Sequence, residues 1–127
     1  VVAMGTCITY SFLNDQEQFL GGAISPGVDM RFHAMHSFTA KLPEARFDPN
    51  AALTGTNTIS NLQAGVMYGI LGELNQFIAA YEQQNQGLQV ILTGGNAPFF
   101  AERLKRRIFA DSDLLFYGLN ALSQINV

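Results

Sequence analysis

The chain has 127 residues, of which 48% are hydrophobic, and a formal net charge of −3. This length and composition suit one domain with a buried core and exclude a disordered chain. Its seven basic residues are too few for the broad basic surface that neutralises phosphates, so we expect no nucleic-acid partner. No apolar run approaches the roughly 20 residues that span a bilayer, so we expect no membrane partner either.

Cys7 is the only cysteine. It cannot form an internal disulfide, which favours a reducing compartment, and we expect a cytoplasmic protein. A small buried apolar residue is the preferred interpretation of Cys7, ahead of a catalytic thiol.

The first segment predicts a strand, a turn, a second strand and a short return strand. Val1–Met4 is apolar, and Gly5-Thr6 interrupts it. Cys7–Leu13 alternates larger apolar residues with smaller or polar ones, the period of a half-buried strand, and Gln18–Leu20 returns toward two glycines. Because the sequence begins within a predicted strand, we expect that a preceding segment was removed or is not included in these 127 residues.

Two helices are predicted next. Ser25-Pro26-Gly27 indicates a helix start, since serine can cap and proline suits the first helical position. This helix should continue to about Lys41, before Pro43. Residues 42–57 are predicted as a loop of the length that is often functional.

Thr58 opens a long helix with an apolar stripe to about Tyr81. Its Gly65, Gly69 and Gly72 would form a flat strip, called the glycine strip below, where another backbone can approach closely. We therefore expect a packed partner helix or sheet on the glycine strip.

The remaining sequence predicts two further strands and two further helices. Leu88–Leu92 is a short apolar strand, and Pro98 starts a helix through about Arg107. Asp113–Phe116 is predicted as a last strand and Tyr117–Ile125 as a final helix. The mixture of strands and helices predicts the α/β class.

Two glycine turns are the candidate ligand sites. Gly5-Thr6 lies between strands, and Thr93-Gly94-Gly95 lies between a strand and a helix. Backbone N–H groups at such turns favour phosphate, and the Thr6 hydroxyl could bond a phosphate oxygen. Either turn alone is more often an ordinary turn, and neither matches the dinucleotide or Walker patterns.

No catalytic group emerges from the other polar residues. His33 and His36 are spaced for one helix, but zinc requires about four ligands and no second pair is present, so a surface role is preferred. The acids are scattered and interpreted as solvated, which leaves no general base: Asp29, Glu44, Asp48 and Glu73.

Six blocks taken in order resemble type III pantothenate kinases over essentially the whole chain: Gly5–Tyr10, Phe19–Gly27, Gly55–Thr58, Gly65–Gly69, Leu92–Asn96 and Tyr117–Leu122. The resemblance implies a ribonuclease H-like, actin-like ATPase domain, with a mixed sheet flanked by helices. Residues 1–127 would be the second, C-terminal domain of a two-domain kinase whose N-terminal domain is missing here.

The resemblance also implies roles for individual residues. Gly5 and Thr6 would bind the ATP phosphates, Thr93-Gly94-Gly95 would lie near the adenosine, and Thr58 would bind pantothenate. It implies a homodimer that completes the pantothenate pocket across its interface, with the glycine strip as the candidate contact.

One departure from the family pattern concerns a cation. The family has an aspartate that helps to hold a monovalent cation, K⁺ or NH₄⁺, where this chain has Ala3. A methyl group cannot coordinate a cation, so that site should be weakened, lost or built from backbone carbonyls.

A second departure concerns catalysis. The family's catalytic aspartate lies in the N-terminal domain and is therefore absent from residues 1–127. The whole protein would phosphorylate pantothenate with ATP and Mg²⁺, the first step of coenzyme A synthesis, whereas this chain alone should be inactive. The alternatives are a non-catalytic homologue that serves as a nucleotide-binding or dimerisation module, and a kinase for another small alcohol.

Overall fold

The computed structural model describes residues 1–125, which form a mixed five-stranded sheet flanked by helices. This architecture confirms the predicted α/β class. In chain order, the elements are β1 (Val2–Met4), β2 (Cys7–Leu13), β3 (Phe19–Pro26), α1 (Val28–Ser37), α2 (Thr58–Gln84), β4 (Val90–Thr93), α3 (Ala97–Arg103), β5 (Ile108–Ala110) and α4 (Leu114–Ile125).

The strand order β3-β2-β1-β4-β5 places β1 at the centre of the sheet. β1, β2 and β3 form an antiparallel meander, whereas β4 runs parallel to β1 and β5 runs parallel to β4. Because parallel strands point the same way, the carboxyl ends of β1 and β4 lie at the same edge of the sheet.

Helix α2 packs along β2 and buries one face of the meander. Tyr10 stacks on Phe77 with ring centroids 4.2 Å apart, and Phe12 stacks on Tyr81 at 5.0 Å. Earlier residues of α2 therefore lie beside earlier residues of β2, and the helix start points toward the Gly5-Thr6 end. The core combines alternate residues of the strands with the helix stripe: Val2, Met4, Ile8, Leu92, Ile70, Leu74 and Ile78.

The start of α2 fits its sequence. Asn57 caps the helix by accepting a bond from the Ser60 amide at 2.9 Å, and the Ser60 hydroxyl accepts from the Asn57 amide at 3.0 Å. This reciprocal capping box satisfies two amides that the first turn leaves free. Within residues 1–125, no helix is both long and apolar enough to cross a membrane.

The prediction for β3 and α1 is partly wrong. β3 extends through Ser25 and Pro26, and α1 begins at Val28 and ends at Ser37, before the predicted Lys41. Continued pairing with β2 overrides the helix signal, and Pro26 is tolerated because it lies at the end of an edge strand. Ser25 does not cap the helix, because its hydroxyl donates to the Glu73 carboxylate.

The last predicted strand is also wrong. Asp113 lies in a turn, and the rest of that segment belongs to the first turn of α4; the edge strand is instead Ile108–Ala110. Helix α3 ends at Arg103, where the sequence predicted Arg107, and Lys105 adopts a positive φ of 50°. This reversal lets β5 pair with β4, with Val90 opposite Ile108.

Candidate functional site

The two glycine turns meet at one edge of the sheet. Ala3 and Thr93 are partners in the parallel register of β1 and β4. Gly5 follows the end of β1, and Gly94-Gly95 follows the end of β4. The structure therefore brings together the two segments that the sequence singled out separately.

Gly94 makes this close approach possible. It has a φ of +99°, and a Cβ atom at this position would lie less than 3.0 Å from the carbonyl of Met4. Only glycine combines that backbone conformation with the missing side chain. Gly95 differs, because a Cβ there would meet no atom within 4 Å.

The Gly5-Thr6 turn is held by the segment that joins β3 to α1. The Gly27 N–H donates to the Thr6 carbonyl at 2.9 Å, and the Gly5 N–H donates to the Cys7 carbonyl at 3.1 Å. Gly27 is buried, and a Cβ there would lie within 3.0 Å of the Gly5 and Thr6 carbonyl oxygens. Thr6 itself is exposed, so a ligand can reach its hydroxyl.

An apolar cavity of about 720 Å³ lies beside the turns. Ala3, Gly5, Thr93 and Gly94 line one side, and α4 lines the other with Leu115, Phe116, Leu119, Leu122 and Ile125. The size and lining suit a flat, weakly polar ring, while the adjoining turn amides suit a charged group.

Thr58 lies apart from these turns. A Cβ on Gly69 would lie 3.7 Å from Nη1 of Arg31. The Nε of Arg31 in turn donates to the Pro26 carbonyl oxygen at 2.9 Å. Gly69 therefore lies beside the end of β3. Thr58 precedes Gly69 by eleven residues, which places it roughly 16 Å further along the helix axis. It is exposed at the start of α2, which extends beyond the end of the sheet where the Gly5-Thr6 turn lies.

No charged side chain lies opposite Ala3 in the two adjacent strands. Its partners in adjacent strands are Thr9 and Thr93, whose hydroxyls carry no charge. Throughout residues 1–125, no group of three or more His, Cys, Asp and Glu side chains is arranged to hold a metal ion.

The two histidines make local contacts at the surface. His33 Nδ1 lies 3.2 Å from Glu44 Oε1, and His36 Nδ1 lies 2.7 Å from the Leu42 carbonyl oxygen. Both residues are exposed, in agreement with the predicted surface role.

The interpretation of Glu73 as a solvated acid is wrong. Its carboxylate accepts hydrogen bonds from Tyr10 Oη, at 2.7 Å, and from Ser25 Oγ. It also forms an ion pair with Arg31. The side chains of Glu73 and Arg31 are each 20% exposed. A signal existed in the sequence, since Glu73 lies three residues after Ile70 and four before Phe77 and so shares their inward face.

The three donors set the ionisation of this cluster, called the Glu73 cluster below. Burial acts to raise the pKa of Glu73, but the bonds from Ser25, Arg31 and Tyr10 outweigh it and hold the pKa below its ordinary value. Burial, together with the bond to Glu73, raises the pKa of Tyr10. Glu73 is therefore an ionised, fully engaged carboxylate.

The chain is similar in sequence to curated type III pantothenate kinases. The chain is 44% identical over 124 residues to the type III pantothenate kinase of Cytophaga hutchinsonii, covering 98% of this chain and 53% of that protein. It is 42% identical to that of Flavobacterium psychrophilum, covering 98% and 52%. The chain thus spans about half the length of these curated relatives.

A solved structure shares the fold. The conserved putative Baf family transcriptional activator from Campylobacter jejuni superposes with a TM-score of 0.71 at 23% identity, covering 98% of this chain and 56% of that one. The family model for type III pantothenate kinase matches residues 1–80. The chain therefore belongs to the type III pantothenate kinase family.

Proposed function

We propose that this chain is part of an ATP-dependent pantothenate kinase. The enzyme would transfer the γ-phosphoryl group of ATP to the primary hydroxyl of pantothenate, the first step of coenzyme A biosynthesis. The observation that carries the proposal is the meeting of the two glycine turns at one sheet edge. Membership of the family supports both the kinase activity and the substrate.

In this proposal the chain contributes nucleotide positioning. The Thr6 hydroxyl and the amides of the Gly5-Thr6 turn would bind phosphate oxygens, and Thr93-Gly94-Gly95 would lie along the adenosine. The apolar cavity beside them offers a contact surface for the faces of a purine ring. Holding the phosphate chain in line with the acceptor hydroxyl is a large part of catalysis in phosphoryl transfer.

The proton acceptor would come from outside this chain. Glu73 is unsuited as a base because its carboxylate is fully engaged and its pKa is lowered. We propose that an aspartate in the other half of the relatives' length takes the proton. That half would form the first of two actin-like ATPase domains, with the active site in the cleft between them.

Magnesium would arrive with ATP and neutralise phosphate charge. The neutral surroundings of Ala3 argue against a monovalent-cation site built as in the family.

A homodimer through the glycine strip would complete the pantothenate site. A Cβ on Gly65 or Gly72 would meet no atom of the described chain within 4 Å, so the strip can accept another backbone. Thr58 lies at the start of the same helix, and in the proposed dimer its hydroxyl would bind a pantothenate held across the interface.

Turnover by the full-length protein in which this chain occurs tests the proposal. ADP release from ATP should depend on pantothenate, with 4′-phosphopantothenate as the product. The chain of residues 1–127 alone should give none, because it lacks the base. Release of phosphopantothenate by residues 1–127 alone would contradict the assignment of the base to the other half.

Ala3 favours a second candidate, a non-catalytic homologue that binds nucleotide or dimerises. This candidate predicts ATP binding by the full-length protein without pantothenate-dependent ADP release. A kinase for another small alcohol would instead release ADP with that alcohol and not with pantothenate. The same assay, run with a panel of small alcohols, therefore separates the three possibilities.

A further inference from the structure

We propose that Glu73 is a positioning residue that holds the Gly5-Thr6 turn in its ligand-binding conformation. That the turn binds a ligand rests on the proposed function. The effect of Glu73 on the turn's backbone can be measured without turnover. Three steps connect the carboxylate to the turn.

The first step joins four elements at one carboxylate. Glu73 lies on α2, Tyr10 on β2, Ser25 on β3 and Arg31 on α1. Tyr10 and Ser25 donate to Oε1, and Arg31 donates to Oε2. Because both carboxylate oxygens are used, loss of the charge would loosen the contact of α2 with three other elements at once.

The second step runs through the two arms of Arg31. While Nη2 bonds Glu73, Nε donates to the Pro26 carbonyl oxygen at 2.9 Å. The planar guanidinium makes both bonds from a fixed fork. Glu73 thereby fixes the end of β3 through Arg31, in addition to its direct bond to Ser25.

The third step reaches the turn. Pro26 lies opposite Cys7 in the sheet, and the next residue, Gly27, donates its amide to the Thr6 carbonyl at 2.9 Å. Gly27 packs so tightly on the Gly5 and Thr6 carbonyls that there is no room for a Cβ. A shift of Pro26 and Gly27 would therefore move the Gly5-Thr6 backbone with it.

The test compares Glu73→Gln with Glu82→Gln in the full-length protein. Glu82 is a matched control, since it lies on the same helix and pairs with an arginine, Arg106, far from the turn. We expect the Gly27 amide to exchange with solvent at least tenfold faster in Glu73→Gln, measured by NMR. In Glu82→Gln the exchange rate should stay within twofold of wild type.

A kinetic measurement separates positioning from general destabilisation. At a temperature where both variants remain folded, Glu73→Gln should raise the KM for ATP at least fivefold. It should leave the KM for pantothenate within twofold, because Thr58 precedes Glu73 by fifteen residues and so lies roughly 22 Å away along α2. Equal rises in both KM values would overturn the positioning role.

Arg31→Lys provides a second variant if Glu73→Gln does not fold. Lysine keeps the charge but cannot form the fixed two-armed contact with Pro26 and Glu73. It should accelerate Gly27 exchange as well, and wild-type exchange in whichever of the two variants folds would refute the inference. If the wild-type protein shows no pantothenate-dependent turnover, the proposed function fails, while the exchange measurement still decides the link from Glu73 to the turn.

Discussion

Ala3 of β1 and Thr93 of β4 lie side by side in parallel register. Thr93 is the last residue of β4, and Ala3 is the last but one of β1. This single pairing sets the two glycine turns next to each other, although about 90 residues of chain separate them. The proposed nucleotide site therefore depends on how β4 joins the sheet.

The contact between the turns predicts different effects for two neighbouring glycines. Gly94→Ala should lower the free energy of unfolding by about 1–3 kcal/mol, because its positive φ and its closeness to Met4 leave no room for a methyl group. Gly95→Ala is the control and should change it by less than about 0.5 kcal/mol, since its Cβ would meet open space. Urea denaturation measures both, and equal losses would contradict the packing described here.

Thr6 and Thr58 should affect different substrates in the proposed kinase. Thr6→Val should raise the KM for ATP, and Thr58→Val should raise the KM for pantothenate. Each change removes one hydrogen bond, worth about 1 kcal/mol or roughly a fivefold change in KM. Steady-state kinetics of the full-length protein with each substrate varied in turn provides the measurement.

Damage to the helix start needs a separate control, because Thr58 is the first residue of α2. Ser60→Ala removes one half of the capping box and should destabilise the helix by about 1 kcal/mol. If Ser60→Ala raises the KM for pantothenate as much as Thr58→Val does, the Thr58 hydroxyl has no direct role.

The glycine strip predicts a dimer that a single bulky residue disrupts. Gly65→Leu should leave the fold intact, because a Cβ there meets nothing within the described chain, but it should shift the protein to monomers in sedimentation. Leucine at Gly69 is less suitable, since it would also meet Arg31. A wild-type monomer, or a Gly65→Leu dimer of unchanged stability, would rule out this interface.

The Glu73 cluster predicts a pH dependence of stability. The folded-state pKa of Glu73 lies below its ordinary value of 4.5, so the cluster stabilises the fold above that pH. This contribution is lost as the pH falls below 4.5 and through the lower folded-state pKa. The difference in unfolding free energy between wild type and Glu73→Gln should therefore be larger at neutral pH than near pH 3, as followed by denaturant titrations. A difference that does not change between these pH values would show that the charge is not responsible.

Much of the local structure could be read from the sequence. The strand Cys7–Leu13, the start of α2 at Thr58 and the absence of helix or strand in residues 42–57 agree with the structure. These features depend on periods of two or 3.6 residues and on local capping, which act between neighbours in the chain. The glycine turns were recognisable for the same reason.

The errors arose where distant residues decide the outcome. Ser25 was predicted to cap a helix, yet it lies in β3 and bonds Glu73, 48 residues away. Edge strand β5 was missed because Ile108–Ala110 is too short to show a period and forms only by pairing with β4.

Residue type and short spacing along the chain are enough to predict most of the helices and strands, the two glycine turns and the family resemblance. That the turns share one edge of the sheet, and that Glu73 binds side chains from three other elements, is visible only in the folded chain. Those relationships depend on strand register and helix packing, which join residues that are remote in sequence and leave little trace in any local pattern.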